Sequence, residues 1–148
     1  MNSWVEKQTK EKIKGLIADG VFNRLTRLTL VNAIYFKGLW QNQFSKRKTS
    51  PSHFFVKDKE KIKVKMMQKS AEFNYSQDES LKCQVLEMPY LGGSLSMFIF
   101  LPNEIDGLTA LEKRLDYKKL NEILNATSKS GPIKVEVSIP KFKMTQEF

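Results

Sequence analysis

The sequence predicts a mixed α+β fold, with antiparallel-rich sheets and a few short helices, and three patterns predict it. Ile133, Val135, Val137 and Ile139 alternate with Lys134, Glu136 and Ser138, the period of a half-buried strand. Leu108, Leu111 and Leu115, and again Leu120, Ile123 and Leu124, fall at helical spacing. The apolar runs 85–90 and 94–101 flank Leu91-Gly92-Gly93, a hairpin signal. A length of 148 residues is one domain's worth, and 41% hydrophobic content argues for a packed chain over a disordered one.

Taken in order, residues 1–14 read as the end of a helix that begins before residue 1. Trp4, Gln8 and Lys12 share one face of it, and Val5, Thr9 and Ile13 the adjacent one. Asp19-Gly20 marks a turn. Residues 25–44 follow as a strand, interrupted at Lys37-Gly38. The run 28–36 within it is nearly continuously apolar, as in strands buried on both faces. Yet it holds the amide of Asn32, which costs about 1–3 kcal/mol in such a place unless hydrogen-bonded. Residues 45–52, polar and basic with Pro51, read as a loop. Residues 53–56 and 62–67 are an antiparallel strand pair, and 73–75 a short extended piece. Asp116-Tyr117 separates two short helices, 127–132 is a loop, and 141–148 begins another strand.

Charge and chemistry narrow the function classes. The net charge is +9, and its densest stretch is 57–69. There Lys57, Lys59, Lys61, Lys63 and Lys65 alternate with Asp58, Glu60, Ile62, Val64 and Met66. This is the pattern of an amphipathic edge strand whose lysines face water and block edge pairing. The alternative is a basic module that binds a polyanion such as heparin through Lys57 to Lys65 and Lys113, Arg114, Lys118 and Lys119. No nucleic acid is expected, because the stretch carries no aromatic residues between its lysines for base stacking. No apolar run reaches the roughly 20 residues that cross a bilayer, so no membrane partner is expected. The single cysteine, Cys83, excludes an internal disulfide framework, and its apolar surroundings predict a buried, inert thiol. His53 is the only histidine, and no nucleophile elbow, phosphate-binding loop or metal-ligand spacing accompanies it. The chain therefore reads as no enzyme, with no cofactor. Asn74-Tyr75-Ser76 and Asn125-Ala126-Thr127 are glycosylation acceptor patterns. They lean toward an extracellular protein, with a cytoplasmic location as the alternative.

Short motifs in order then carry a resemblance. Asn2, Trp4, Val5, Thr9, Lys12 and Ile13 fit the segment N-x-W-V-x-x-x-T-x-x-K-I. Leu30-Val31-Asn32-Ala33-Ile34-Tyr35-Phe36-Lys37-Gly38, with Trp40 and Phe44, fits the central strand of a large sheet. Residues 64–67, 85–90, 97–102 and Ile139-Pro140-Lys141-Phe142 follow in the same order. In these motifs the whole chain resembles the serpins, the serine protease inhibitor family.

The resemblance implies a mixed fold with three sheets, and inhibition by a suicide-substrate route. An exposed reactive loop is cleaved and inserts as a new strand, dragging the acyl-linked protease with it. The partner it implies is a serine protease, engaged by the full-length parent; glycosaminoglycan binding by the basic residues could coexist with it. Asn32 resembles the amide of the "shutter", where the central strands part, and Trp40 the tryptophan of the "breach", where insertion starts. Lys141 resembles a breach lysine that pairs with a glutamate at the base of the reactive loop. Trp4 and Val5 resemble the helix that moves aside during insertion. The resemblance also implies that residues 1–148 are the central part of a single serpin domain, incomplete at both ends and without the reactive loop. A serpin-fold binding or carrier protein with no inhibitory activity is the alternative.

Overall fold

Residues 1–28, 31 and 36–142 are described by a computed structural model. Two units divide the chain, Met1–Gly38 and Leu39–Phe148.

In the first unit the helix is short: α1 spans Asn2–Gln8, not the stretch to residue 14 that the sequence suggested. Thr9 stops it. Its hydroxyl donates to the Val5 carbonyl at 2.8 Å and accepts the Ile13 amide at 3.2 Å, competing with the helical ladder. Lys10 and Glu11 then take left-handed backbone angles. The chain turns back along the helix, where the Asn2 side chain bonds both the carbonyl (2.8 Å) and the amide (2.9 Å) of Ile17. Val5 and Thr9 are buried as expected of one face, whereas Trp4 is exposed.

The strand expected over 25–44 is not formed in its described part. Residues 25–28, 31 and 36–39 belong to no strand, and Trp40 makes only an isolated bridge. Asn32 and its neighbours 29, 30 and 33–35 lie outside the described residues. Local bonds win at the start of the run. The Asn23 side chain accepts the Leu25 amide at 2.8 Å, and the Asn23 amide donates to the Thr26 hydroxyl at 3.1 Å, a side-chain-closed turn in place of a ladder. Leu25 and Leu28 stay about four-fifths exposed (79% and 80%).

Among its described residues the second unit holds a five-stranded antiparallel sheet with two helices on it. Its strands are β1 (Thr49–Lys57), β2 (Glu60–Asp78), β3 (Cys83–Pro89), β4 (Ser96–Pro102) and β5 (Pro132–Pro140). The helices are α2 (Leu108–Arg114) and α3 (Tyr117–Lys129). The paths of all of them follow from the 19-residue β2. Met66 lies opposite both Ser50 and Pro140, and Asn74 opposite both Glu87 and Pro132. So β5 occupies one edge of β2, while β1 and β3 follow each other along the other edge. Ahead of Met66, β2 pairs with β1 alone, and the two form a ribbon.

Three expectations are corrected here. Residues 45–52 are not all loop: a 3-10 turn over Lys46–Lys48, capped by Ser45, leads into β1 at Thr49. Pro51 is tolerated because, among the described residues, β1 is an edge strand with no ladder partner for its outward amides. The piece at 73–75 is part of β2, not separate, since β5 pairs with it from Met66 through Asn74. The loop at 127–132 shrinks, because α3 continues to Lys129 and Gly131 turns the chain at φ +79°.

Each face of the sheet has its own core. Leu81, Cys83 and Val85 meet Leu111 of α2 and Ile123 of α3 on one face. Phe73, Met88 and Val137 form the other, with Trp40, Phe44, Leu86 and Ile139 around them. Cys83 is fully buried, and burial raises its thiol above the ordinary range, as expected of an inert cysteine.

Candidate functional site

Of the candidate switch residues, Trp40 and Lys141 are described, and both lie just outside the named strands. Trp40 bridges Tyr90, and their rings stack with centroids 4.4 Å apart and planes 15° from parallel. Two backbone bonds hold the bridge: the Gln41 amide donates to the Pro89 carbonyl (2.9 Å) and the Leu91 amide to the Leu39 carbonyl (2.7 Å). The indole also lies against the cluster of Phe73, Met88 and Val137. Lys141 leaves β5 with its amide donating to the Lys65 carbonyl at 2.8 Å, and its side chain is exposed. Trp40 and Ile139 border the same apolar cluster, so Lys141 emerges two residues beyond it. Asn32, the third of the group, lies outside the described residues.

A polar seam that the sequence did not announce joins α3 to the sheet. Asn74 donates to Glu87 Oε2 at 2.9 Å and to the Ser128 carbonyl at 3.4 Å. The Ser76 and Thr127 hydroxyls share a 2.6 Å hydrogen bond, and Thr127 is fully buried. Burial pushes the Glu87 carboxyl up, but donors from Asn74, Ser96 and Ser128 outweigh it and hold the group below the ordinary glutamate value. At the end of β2, Asp78 meets Lys119 of α3 at 2.9 Å and accepts the Leu81 amide at 2.8 Å. Burial raises this carboxyl too, yet Ser80, Lys119 and Leu81 together bring it down to about 2.

The signal for this seam was present. Asn74, Ser76 and Asp78 alternate along one strand, so their side chains share a face. The acceptor triplets had drawn attention to Asn74 for another reason. In the structure its amide is engaged in the seam, whereas Asn125 is exposed on α3. His53 is exposed on the edge strand β1, opposite Lys63.

Sheet, helices and seam together define a mixed helix-and-sheet protein whose two cores are held by an antiparallel sheet. A family model, serpin (serine protease inhibitor), matches residues 1–148, and the chain belongs to that family. Human Serpin B4 is 44% identical over all of this chain and 38% of its own length. Human leukocyte elastase inhibitor is 42% identical over all of this chain and 40% of its own. The chain thus spans about two-fifths of the curated relatives it matches. Among solved structures, uncleaved ovalbumin is 36% identical with a TM-score of 0.85, over 97% of this chain and 38% of that one. A cleaved serpin, Serpin 42Da, is 41% identical with a TM-score of 0.86, over 95% of this chain and 37% of that one.

Proposed function

We propose that this chain belongs to a serine protease inhibitor that works as a suicide substrate, by loop insertion, and that it is an inhibitor and not an enzyme. The observation that carries this is the family match over the whole chain, joined by relatives named as inhibitors. The protease is the partner of a polypeptide of the relatives' length, in which residues 1–148 form the central part of one domain. Trp40 and Lys141 are the residues we assign to the breach, and Asn32 to the shutter. The body of the chain matches an uncleaved and a cleaved relative about equally well. That fits a scaffold that keeps its shape while the switching happens beside it.

The test starts from the message. Its sequence past Phe148 should encode a hinge of small residues and a glutamate, and the encoded protein should form a denaturant-resistant covalent complex with a serine protease. Cleavage without any complex would leave the non-inhibitory carrier as the reading. The extracellular location drawn from the acceptor triplets gains no support from the relatives, and the cytoplasmic alternative stands. An endoglycosidase-induced mass shift in the cellular protein would restore the extracellular one.

A further inference from the structure

The ribbon of β1 and the first part of β2 has a face the inhibitor reading does not use. Lys61, Lys63 and Lys65 alternate along β2 and are exposed. Two strand rises, about 6.7 Å, separate each from the next. The register sets Phe55 opposite Lys61, His53 opposite Lys63 and Pro51 opposite Lys65. Directly opposed residues of an antiparallel pair share a face, so a half-exposed phenyl ring (50%) and an exposed imidazole stand beside the cations. Within the strand itself the lysines alternate with carboxylate or apolar residues. The aromatic residues come from the neighbouring strand, which is why the linear stretch 57–69 showed none.

None of these lysines takes part in an ion pair among the described residues. Glu60 alternates onto the opposite face. Asp58, at the turn, donates its amide to the Asp106 carboxylate at 3.2 Å, so the acidic groups bound the face at the ribbon's tip instead of interrupting it.

We propose that this face binds single-stranded nucleic acid, with Lys61, Lys63 and Lys65 on successive phosphates and Phe55 stacking on a base. Cations at this spacing follow an extended phosphate backbone, and every base offers a flat surface to the exposed ring. A sulfated glycan would use the lysines but gain nothing from the phenyl group. The aromatic residue is what favours the nucleic acid.

The test is fluorescence anisotropy of the full-length protein encoded by the message with a labelled oligothymidylate, across a salt series. Each phosphate neutralised on a single strand contributes about −0.7 to the slope of log affinity against log salt, so the expected slope is about −2. Phe55→Ala should weaken binding about tenfold, the low end of what one base stack is worth, while Phe55→Tyr binds as the parent does. Lys61→Gln with Lys63→Gln should weaken it and flatten the slope. Circular dichroism of each variant separates lost binding from lost fold. The proposal is overturned if Phe55→Ala binds as the parent does. It is equally overturned if no binding appears at low salt, or if heparin binds more tightly than the oligothymidylate and the ring makes no difference to it.

Discussion

Asp78 shows how much one side chain at the end of a strand does. Its carboxylate ties β2 to the following turn through Leu81 and to α3 through Lys119. The folded value of about 2 lies below the ordinary 3.8. Its contribution is therefore complete above about pH 4 and is lost as the pH falls through 2. In the full-length protein we expect Asp78→Asn to cost about 1–2 kcal/mol at neutral pH and to remove that acid limb from the stability curve. Urea titrations of both proteins from pH 2 to 6 would check it; parallel curves would refute the assignment. Thr127 makes a second case. In the full-length protein Thr127→Val removes the buried partner of a half-buried Ser76 hydroxyl, at about 1 kcal/mol, whereas Ser76→Ala with Thr127→Val should cost less than the sum. A double-mutant cycle measures the coupling.

Among the elements, the turns decide most. Gly107, ahead of α2, has no room for a side chain: a Cβ there would come within 2.8 Å of Pro102 Cβ and 3.0 Å of the Glu104 carbonyl. In the full-length protein Gly107→Ala should lower the melting point through an overpacking cost of about 1–3 kcal/mol, read by calorimetry. The elements with strong periodicity were legible from residues alone. Val135, Val137 and Ile139 turn inward, and Leu111 and Ile123 are buried on their helices, whereas Ile133 and Leu108, at the starts of their elements, stay exposed. The continuity of β2 was not legible, because Gln68, Lys69 and Ser70 look like an interruption. Backbone pairing with β5 is indifferent to those side chains, and Lys69 finds a partner in the Gln43 carbonyl at 2.8 Å. The opposite failure occurred at Leu25 and Leu28, whose apolar run predicted a strand. Hydrophobicity alone does not supply a neighbouring strand, and the Asn23 turn took the backbone instead. Of the candidate site, Trp40 was legible only through the motif it completes; Asn74, Ser76 and Asp78 were legible as one face of a strand, but Thr127 and Lys119 meet them only in three dimensions.

For the whole molecule, the apolar surface is the decisive property. Leu25, Leu28, Phe36, Leu39, Leu91, Leu95 and Leu101 are each more than half exposed. β4 has β3 as its only sheet neighbour among the described residues, so its other edge offers unpaired backbone groups. We expect the 148-residue chain in isolation to self-associate at micromolar concentration. Sedimentation velocity showing a monomer that melts cooperatively would contradict this.

The unbroken course of β2 has a mechanical meaning. At about 3.3 Å per residue its 19 residues make a beam of roughly 60 Å. From Met66 to Asn74 it is clamped along one side by β5, with a last bond from the Lys141 amide to the Lys65 carbonyl, and before Lys65 its strand pairing is with β1 alone. A load on the β1–β2 ribbon would therefore bend the cantilevered end about Met66. The clamped span would carry the torque onward to Asp78, and so to the base of α3.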